Sequence, residues 1–337
     1  MSKGVCIAVF MIAAMMFPYS NDGVCDSMLK TKIEEGIAAI GSAHRSEALA
    51  VITDAGYVVR NGATTEGLID FIAGSTGCSA GRGNLLFLHR RADYRLFVAL
   101  YDRNTGKCAV ISDNNGGYSL SAAVSISLES VSDDAGWDAA SQAIGNSDAY
   151  GVVMLFHAWA ARIPYDFLKC VELHNHVCPG VTSGYFIARY MLEEYPLRSE
   201  DRWSYVSCPP WCKDDAIQTL LDITPGKKNF FVKLLPEDHM AHLKSPDAAG
   251  IFVIRHTDGS GTAVVPVFDW ERASELSGAA DLKGIPQRIV SVTGLLPYFD
   301  TPGALVRIVH ESPVTAEQIE RLPLAGVNPY EEIGFVK

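Results

Sequence analysis

An internal repeat constrains the fold of this chain more than any other feature of its sequence. Residues 70–85 align without gaps on residues 215–230, and aspartate, isoleucine, serine or threonine, glycine and asparagine match in register. Each copy runs into a short apolar segment, at 85–89 and at 230–234, with the composition of a strand. Because such self-similarity is the signature of a repeated structural unit, it predicts two related halves.

The segments that follow the repeat also occur in the same order in both halves. Further apolar stretches come at 94–101 and 108–111 in the first copy, and at 250–256 and 262–268 in the second. Helical and strand patterns both occur in each half. The sequence therefore predicts an α+β fold in which antiparallel or mixed sheets pack against helices.

A polar segment separates the two halves. Residues 114–150, rich in Ser, Gly, Asp and Asn, are the predicted connector between a first half at 27–113 and a second half at 151–337. In the second half, Thr315 and Gln318 have the spacing of a capping box and predict a helix start. Only the second half carries cysteine and histidine clustered upstream of its repeat.

That cluster occupies residues 170–180 and reads Cys-Val-Glu-Leu-His-Asn-His-Val-Cys-Pro-Gly. A helix would place both cysteines and the first histidine on one face. An extended chain would instead align both histidines with the second cysteine. Cysteine mixed with histidine at such short spacing is typical of a metal site.

Pro179 favours the extended alternative. Proline disfavours helical geometry in the residue before it and suits the first position of a helix. We therefore predict an extended loop from His174 to Cys178 and a helix from Pro179. His174, His176 and Cys178 would then converge as ligands of zinc or another borderline metal. Cys178 would lie at a helix N-terminus, which favours thiolate, so it is also a candidate catalytic nucleophile.

A second pair of cysteines, Cys208 and Cys212, precedes the second copy of the repeat. Cys212 leads directly into a predicted helix and is the predicted fourth metal ligand, with Cys208 a weaker candidate. A disulfide or a redox pair is the alternative, although the spacing is not Cys-x-x-Cys. Asp215, or its neighbour Asp214, would act as a base or would orient a ligand, and Asp215 is the predicted catalytic carboxylate.

A glycine-containing turn in each copy invites comparison with phosphate-binding loops. Neither turn has the ending of a P-loop or the spacing of a dinucleotide fingerprint, which favours a tight helix-to-strand turn. Lys227 and Lys228 could still face an acidic ligand, and they are the predicted cofactor-binding residues. Arg82 has the corresponding position in the first half.

Net charge limits the partners of this protein. With 28 basic and 39 acidic residues the chain carries a formal charge of -11, which argues against nucleic acid and against anionic membrane surfaces. A small molecule or a metal ion is the expected ligand. A homo-oligomer is possible.

The N-terminal residues have the pattern of an export signal. Lys3 gives a positive start, and an apolar run from Val5 to Phe17 ends at Pro18. Thirteen residues suit a signal sequence and are too few to span a bilayer. We predict a signal peptide at 1–20 and an exported protein, the alternative being a cytoplasmic protein with a buried first helix. The rest of the sequence predicts no transmembrane segment.

Three motifs of the second half together resemble the FmdE family, which is named after one component of formylmethanofuran dehydrogenase. They are His-x-His-x-Cys-Pro-Gly at 174–180, Cys-x-x-Asp at 212–215 and Thr-x-Gly-Lys-x-Asn at 224–229. The resemblance covers about residues 165–235 and weakens over the first half. It implies an α+β core domain, commonly paired as a dimer, with a metal, most often zinc, at the first motif.

The resemblance also implies which residues bind the metal. Carried onto this chain, the ligands are His174, His176, Cys178 and Cys212. The two FmdE-like halves would form an internal pseudo-dimer in place of two chains, with a degenerate first half and an intact second half. Cys78 of the first half would then be able to approach the site.

Three functions fit the sequence. The first is a metal-dependent enzyme or accessory subunit in redox or one-carbon metabolism, related to formylmethanofuran dehydrogenase. The second is a non-catalytic, exported metal-binding or metal-handling protein, and the third is a structural protein stapled by disulfides. An enzyme requires an open coordination position beside a cavity, whereas the disulfide alternative requires oxidised cysteines.

Overall fold

The computed structural model describes residues 23–114 and 116–337, so the predicted signal peptide at 1–20 lies outside the described residues. In these ranges the chain forms twelve α-helices and thirteen β-strands, which confirms the predicted α+β class. None of the described helices is long and apolar enough to cross a membrane.

The helices occur throughout the described chain. Their bounds are α1 Gly23–Ala39, α2 Gly67–Thr76, α3 Asp134–Ile144, α4 Ala149–Ala160, α5 Tyr165–His174, α6 Pro179–Glu194, α7 Lys213–Leu220, α8 Glu237–Ala241, α9 Trp270–Ser277, α10 Gly284–Thr293, α11 Ala316–Arg321 and α12 Pro329–Glu332. Short 3₁₀ helices occur at Ala80–Arg82, Pro225–Lys227, Leu296–Tyr298 and Pro302–Ala304. At the start of α11, Thr315 and Gln318 form the predicted capping box.

The strands form two large sheets and one small hairpin. Their bounds are β1 Leu49–Thr53, β2 Val59–Arg60, β3 Ala63–Thr64, β4 Leu85–Phe87, β5 Phe97–Asp102, β6 Lys107–Asp113, β7 Tyr118–Leu120, β8 Val124–Ser125, β9 Arg202–Ser207, β10 Phe230–Val232, β11 Ile251–Arg255, β12 Gly261–Phe268 and β13 Val306–Val314. The first sheet has the order β4-β1-β5-β6-β7, with β8 also paired to β6. The second has the order β10-β9-β11-β12-β13, and β2 pairs with β3.

Both large sheets are mixed, in agreement with the prediction. In the first, β1 runs parallel to β4 and antiparallel to β5, with Val51 opposite Leu85 in the parallel pair. In the second, β9 runs parallel to β10 and antiparallel to β11, with Tyr205 opposite Phe230 in the parallel pair. The parallel pair in each sheet is therefore formed by the strands that flank the repeated block.

The repeated block forms the same polar turn in both halves. The Asn84 side-chain oxygen accepts a hydrogen bond of 2.9 Å from the Ser79 backbone N–H, and Asn229 accepts one of 2.9 Å from Thr224. Ser79 and Thr224 in turn cap the 3₁₀ helices that follow them. These side chains satisfy backbone donors that the end of a helix leaves unpaired, which explains why the turn needs asparagine and a hydroxyl.

Each sheet is buried on both faces. Along β1, Leu49 and Val51 join the apolar cluster that includes α1, whereas Ala50 and Ile52 join the cluster that includes the helices of the second half. This alternation follows from the two-residue period of a strand. A third cluster covers the outer face of the second sheet and includes Tyr330.

The helices around the site pack between the two sheets. Phe156 of α4 stacks on Tyr101 of the first sheet at 4.8 Å between ring centroids, and Phe186 of α6 lies 5.9 Å from Phe268 of the second. Each fully buried ring contributes roughly 1.5–3 kcal/mol by leaving water. These contacts fix α4 against the first sheet and α6 against the second.

Residues 114–150, predicted from their composition as a connector, contribute elements to the first half and to the shared core. They supply β7 and β8 to the first sheet, and α3 packs Ala140 and Ile144 into the shared core. Polar composition did not reveal this because the short strands expose many of their residues.

Candidate metal centre

A reverse turn brings His174 and Cys178 together. His174 is the last residue of helix α5. The next residue, Asn175, caps the helix with a left-handed φ of 66°. Cys178 is extended, with φ -147° and ψ 163°, and forms the N-cap of α6, with Pro179 in the first turn. The predicted extended loop is therefore wrong at its first two residues, because His174 is helical and Asn175 adopts the left-handed conformation that ends α5.

Cys212 reaches the same place from the start of α7, where it is the N-cap residue. Two glycines of α6 permit this approach. A Cβ at Gly184 would lie 2.1 Å from the backbone oxygen of Lys213, and a Cβ at Gly180 would lie 2.7 Å from the Cys212 Cβ. Any larger residue at these positions would separate the two helix N-termini and their thiols.

Three potential ligand atoms converge at this crossing. One ring nitrogen of His174 and the sulfurs of Cys178 and Cys212 all lie within 4.8 Å of one another. The His174 Nε2 and Cys178 Sγ atoms are 3.6 Å apart. In a tetrahedral zinc site, bonds of about 2.0 Å to nitrogen and about 2.3 Å to sulfur imply a separation of about 3.5 Å between two such ligands. The donor set and its spacing fit a zinc-type ion.

Asp215 orients the His174 ring. Its Oδ2 lies 2.6 Å from His174 Nδ1, on the side of the ring opposite the thiols. A neutral imidazole that donates its Nδ1 proton to this carboxylate keeps a lone pair on Nε2, where a metal can bind. Asp215 therefore acts on the ligand group indirectly, by orienting His174. Its side chain is 36% exposed.

His176 lies beside the three-residue group. Its ring centroid is 4.3 Å from that of His174 and 5.5 Å from that of Tyr150. Burial, aided by repulsion from His174, lowers the pKa of His176 to about 4. The ring is therefore neutral near pH 7, which is the form that binds metals.

Burial affects the pKa of the Cys178 thiol more strongly than the helix N-terminus does. Burial, together with the Cys212 thiol, raises the pKa of Cys178 to about 12, although the backbone N–H groups of Val181 and Gly180 act to lower it. The Val181 nitrogen lies 3.3 Å from the sulfur. Without a cation the thiol is thus held protonated, whereas a bound divalent cation stabilises the thiolate.

The other described cysteines lie apart from this group. Cys170 contacts the Asp166 backbone oxygen at 3.3 Å, and Cys208 is buried in the cluster on the outer face of the second sheet. Cys78 belongs to the apolar cluster of the first half and does not approach the group. The thiols of Cys78, Cys108, Cys170, Cys178, Cys208 and Cys212 are all free, so Cys208 and Cys212 form no disulfide.

Asp214, the neighbour of Asp215, has a structural position. Its carboxylate accepts hydrogen bonds from the Ser207 hydroxyl at 2.6 Å, the Trp211 N–H at 2.8 Å and the Tyr205 hydroxyl at 3.1 Å. The Lys213 ammonium lies 3.0 Å away, and both side chains are buried. These bonds hold the segment before α7, and with it Cys212, against β9.

Lys227 and Lys228 lie in the turn after α7. The Lys227 ammonium pairs with the Asp222 carboxylate and donates to the Asp222 backbone oxygen at 3.2 Å. Arg82 makes the matching contact in the first half, donating to the Gly77 oxygen at 2.9 Å. Neither lysine is among the residues that line the cavity beside the ligand group.

A cavity of about 530 Å³ opens beside the ligand group. Cys178 and Cys212 line it together with Tyr150 of α4, Trp211 and Arg288 of α10. Sequence patterns did not reveal Tyr150 and Arg288, because each is an isolated residue in a helix and belongs to no motif. Only the packing of α4 and α10 near α6 brings them to the thiols.

Comparison with known families supports the resemblance seen in the sequence. Residues 173–278 match the model of the family described as FmdE, Molybdenum formylmethanofuran dehydrogenase operon. The match includes all three residues of the ligand group and Asp215. Comparison with curated proteins finds no match to the chain. Residues 173–278 therefore form an FmdE-like domain.

Proposed function

We propose that this protein binds a divalent transition metal, preferably zinc, through His174, Cys178 and Cys212. The ion would present an exchangeable coordination position to a small molecule in the neighbouring cavity. The observation that carries the proposal is the convergence of the three ligand atoms within 4.8 Å, with Asp215 on the far nitrogen of His174. The family description supports a role as an enzyme or accessory protein in redox or one-carbon metabolism related to formylmethanofuran dehydrogenase.

The donor set supports zinc over hard cations. Two thiolates and one imidazole suit zinc and its borderline neighbours, whereas magnesium and calcium prefer oxygen ligands. Structural zinc sites usually have four protein ligands, and catalytic sites keep one position open. Three ligands beside a cavity of about 530 Å³ support the open type.

His176, which the sequence also predicts as a ligand, lies beside the three proposed ligands and does not occupy the open position in this proposal. Its ring is tilted by 41° against that of His174 and lies outside the three-residue group, so we expect it to contribute less to metal affinity than either thiol. We expect His176→Ala to weaken metal binding by less than about 10-fold, which is below the usual effect of losing a residue that orients a metal ligand. A loss as large as that of a thiol variant would instead make His176 an equal ligand.

We also propose that the two halves form an internal pseudo-dimer that arose by duplication. The matching strand order of the two sheets and the matching asparagine-closed turns support this. The proposal predicts a monomer in solution, because the first half would take the place of a second chain. Light scattering that gives a dimer under dilute conditions would contradict it.

The metal proposal is tested by metal analysis of purified protein and by cobalt substitution. Wild-type protein should carry one metal ion per chain, and its cobalt form should show the strong absorption of thiolate-to-metal charge transfer. Cys178→Ser and Cys212→Ser should lose most of the metal and most of that absorption. Cys170→Ala is the matched control, because it removes a buried thiol outside the ligand group. Unchanged metal content in both serine variants would refute the proposal.

A further inference from the structure

We propose that the cavity beside the metal group binds a small carboxylate, whose charged end is held by Arg288 and Tyr150 while its other end reaches the metal. This inference rests on the proposed metal site and names the class of ligand that the site would take. Arg288 and Tyr150 line the same cavity as Cys178 and Cys212.

Arg288 is a cation without a carboxylate partner in the described part of the chain. Its exposed side chain lines the cavity and forms no ion pair with any described carboxylate, although the chain has 39 acidic residues. A guanidinium presents a planar pair of donors that matches a carboxylate. A carboxylate ligand would therefore supply the partner that the protein does not.

Tyr150 adds a second donor at the same place. Its hydroxyl is buried and makes no hydrogen bond of normal length and angle within the described residues, although the Arg288 guanidinium lies beside it. Burial raises the pKa of Tyr150, and the positive charge of Arg288 opposes the rise. A buried hydroxyl without an acceptor is rare, because it costs about 1–3 kcal/mol.

An adjoining cavity shows why the anion is assigned to Arg288. That cavity shares Tyr150 and His176 with the first and is lined by two further arginines. Arg90 lies 2.7 Å from the Asp148 carboxylate, and Arg91 lies 2.8 Å from Asp93. Their charges are thus already paired, whereas that of Arg288 is available to a ligand.

The walls of the cavity limit the rest of the ligand. Trp211 is 55% exposed and packs against Trp270 at 5.3 Å between ring centroids, which gives the cavity an apolar side. A cavity lined by an apolar ring, a cation and the proposed metal ligands suits a short carbon chain with a carboxylate at one end and a metal-binding group at the other. The net charge of -11 disfavours long polyanions.

The experiment uses cobalt-loaded full-length protein and two thiols of matched length, 3-mercaptopropionate and 3-mercapto-1-propanol. Binding is followed by the new thiolate-to-cobalt absorption. Because charge-assisted hydrogen bonds are about twice as strong as neutral ones, we expect the acid to bind at least about 10-fold more tightly than the alcohol. Arg288→Gln should abolish this preference, and Tyr150→Phe should reduce it.

Two controls separate local charge from other effects. Arg288→Lys keeps the charge and should retain part of the preference. Arg198→Gln makes the same change in net charge at an exposed position after α6 and should retain all of it. A preference that survives in Arg288→Gln, or equal binding of both thiols by wild-type protein, would overturn the inference alone. A protein that takes up no cobalt would overturn the proposed metal site and this inference with it.

Discussion

The substitution Gly180→Ala tests whether the close crossing of α6 and α7 brings the residues of the ligand group together. The added Cβ would lie 2.7 Å from the Cys212 Cβ, 3.3 Å from its sulfur and 3.5 Å from the Cys178 sulfur. Ordinary contacts between carbon atoms are about 3.5–4.0 Å long, so α6 and α7 must separate by roughly 1 Å. Metal sites tolerate errors of only about 0.2 Å in ligand distances.

We therefore expect Gly180→Ala to lower the free energy of unfolding by about 1–3 kcal/mol, the usual cost of overpacking. Metal affinity, measured by competition with a chelator, should fall by at least about 10-fold, the usual effect of disturbing the surroundings of a metal ligand. Gly74→Ala is the matched control, because a Cβ at this position in α2 meets no atom within 4 Å. We expect that control to be neutral or to stabilise the fold by up to about 1 kcal/mol.

The two measurements distinguish separate causes. A stability loss without a change in metal affinity would show that the helices separate elsewhere and leave the thiols in place. Wild-type values for both stability and metal affinity would refute the idea that the close approach at Gly180 determines the site.

Three further predictions concern carboxylate side chains. Asp215→Asn should weaken metal binding by about 10–100-fold, as measured by chelator competition, because the carboxylate no longer orients His174; unchanged affinity would contradict this. Asp214→Ala should lower the free energy of unfolding in denaturant titrations by about 3–5 kcal/mol, because Lys213 is left buried without its partner; a loss below about 1 kcal/mol would contradict this. Burial raises the pKa of Asp54 to about 7 in the folded protein. The unfolded value is about 4, so this group favours folding at low pH and loses that contribution as pH rises through about 7. Relative to wild type, Asp54→Asn should therefore gain stability between about pH 4.5 and pH 7.5, by roughly 4 kcal/mol at most, and parallel pH profiles of thermal unfolding would contradict the assignment.

The sequence predicted the parts of the site that depend on local chemistry. Pro179 correctly predicted the helix start, and Cys212 was correctly expected at the N-terminus of the next helix. The order of apolar segments predicted antiparallel or mixed sheets packed against helices, because the spacing and composition of such segments are local properties. The convergence of His174 with both thiols was predicted, although from a different backbone geometry.

Other parts of the site depend on contacts that no local pattern records. Helix α5 continues through His174 and stops because Asn175 adopts the left-handed conformation. Pro179 indicates where α6 begins, but it does not indicate where α5 ends. Arg288 and Tyr150 are separated by well over a hundred residues and meet only in the folded protein. Burial raises the pKa of Cys178 by more than the helix N-terminus lowers it. The sequence does not show this, because desolvation depends on all the elements packed around the thiol.

Because Cys178 and Cys212 lie where α6 and α7 cross, a metal ion bound to both thiols would also act as a removable cross-link. Cys178 and Cys212 delimit a segment of roughly 35 residues that contains α6 and β9. A cation bound to both sulfurs would close this segment into a loop, and a cross-link over such a length restricts the unfolded chain by about 4 kcal/mol in the entropic estimate. Removal of the ion by a chelator would then lower the free energy of unfolding, because it opens this ring of chain.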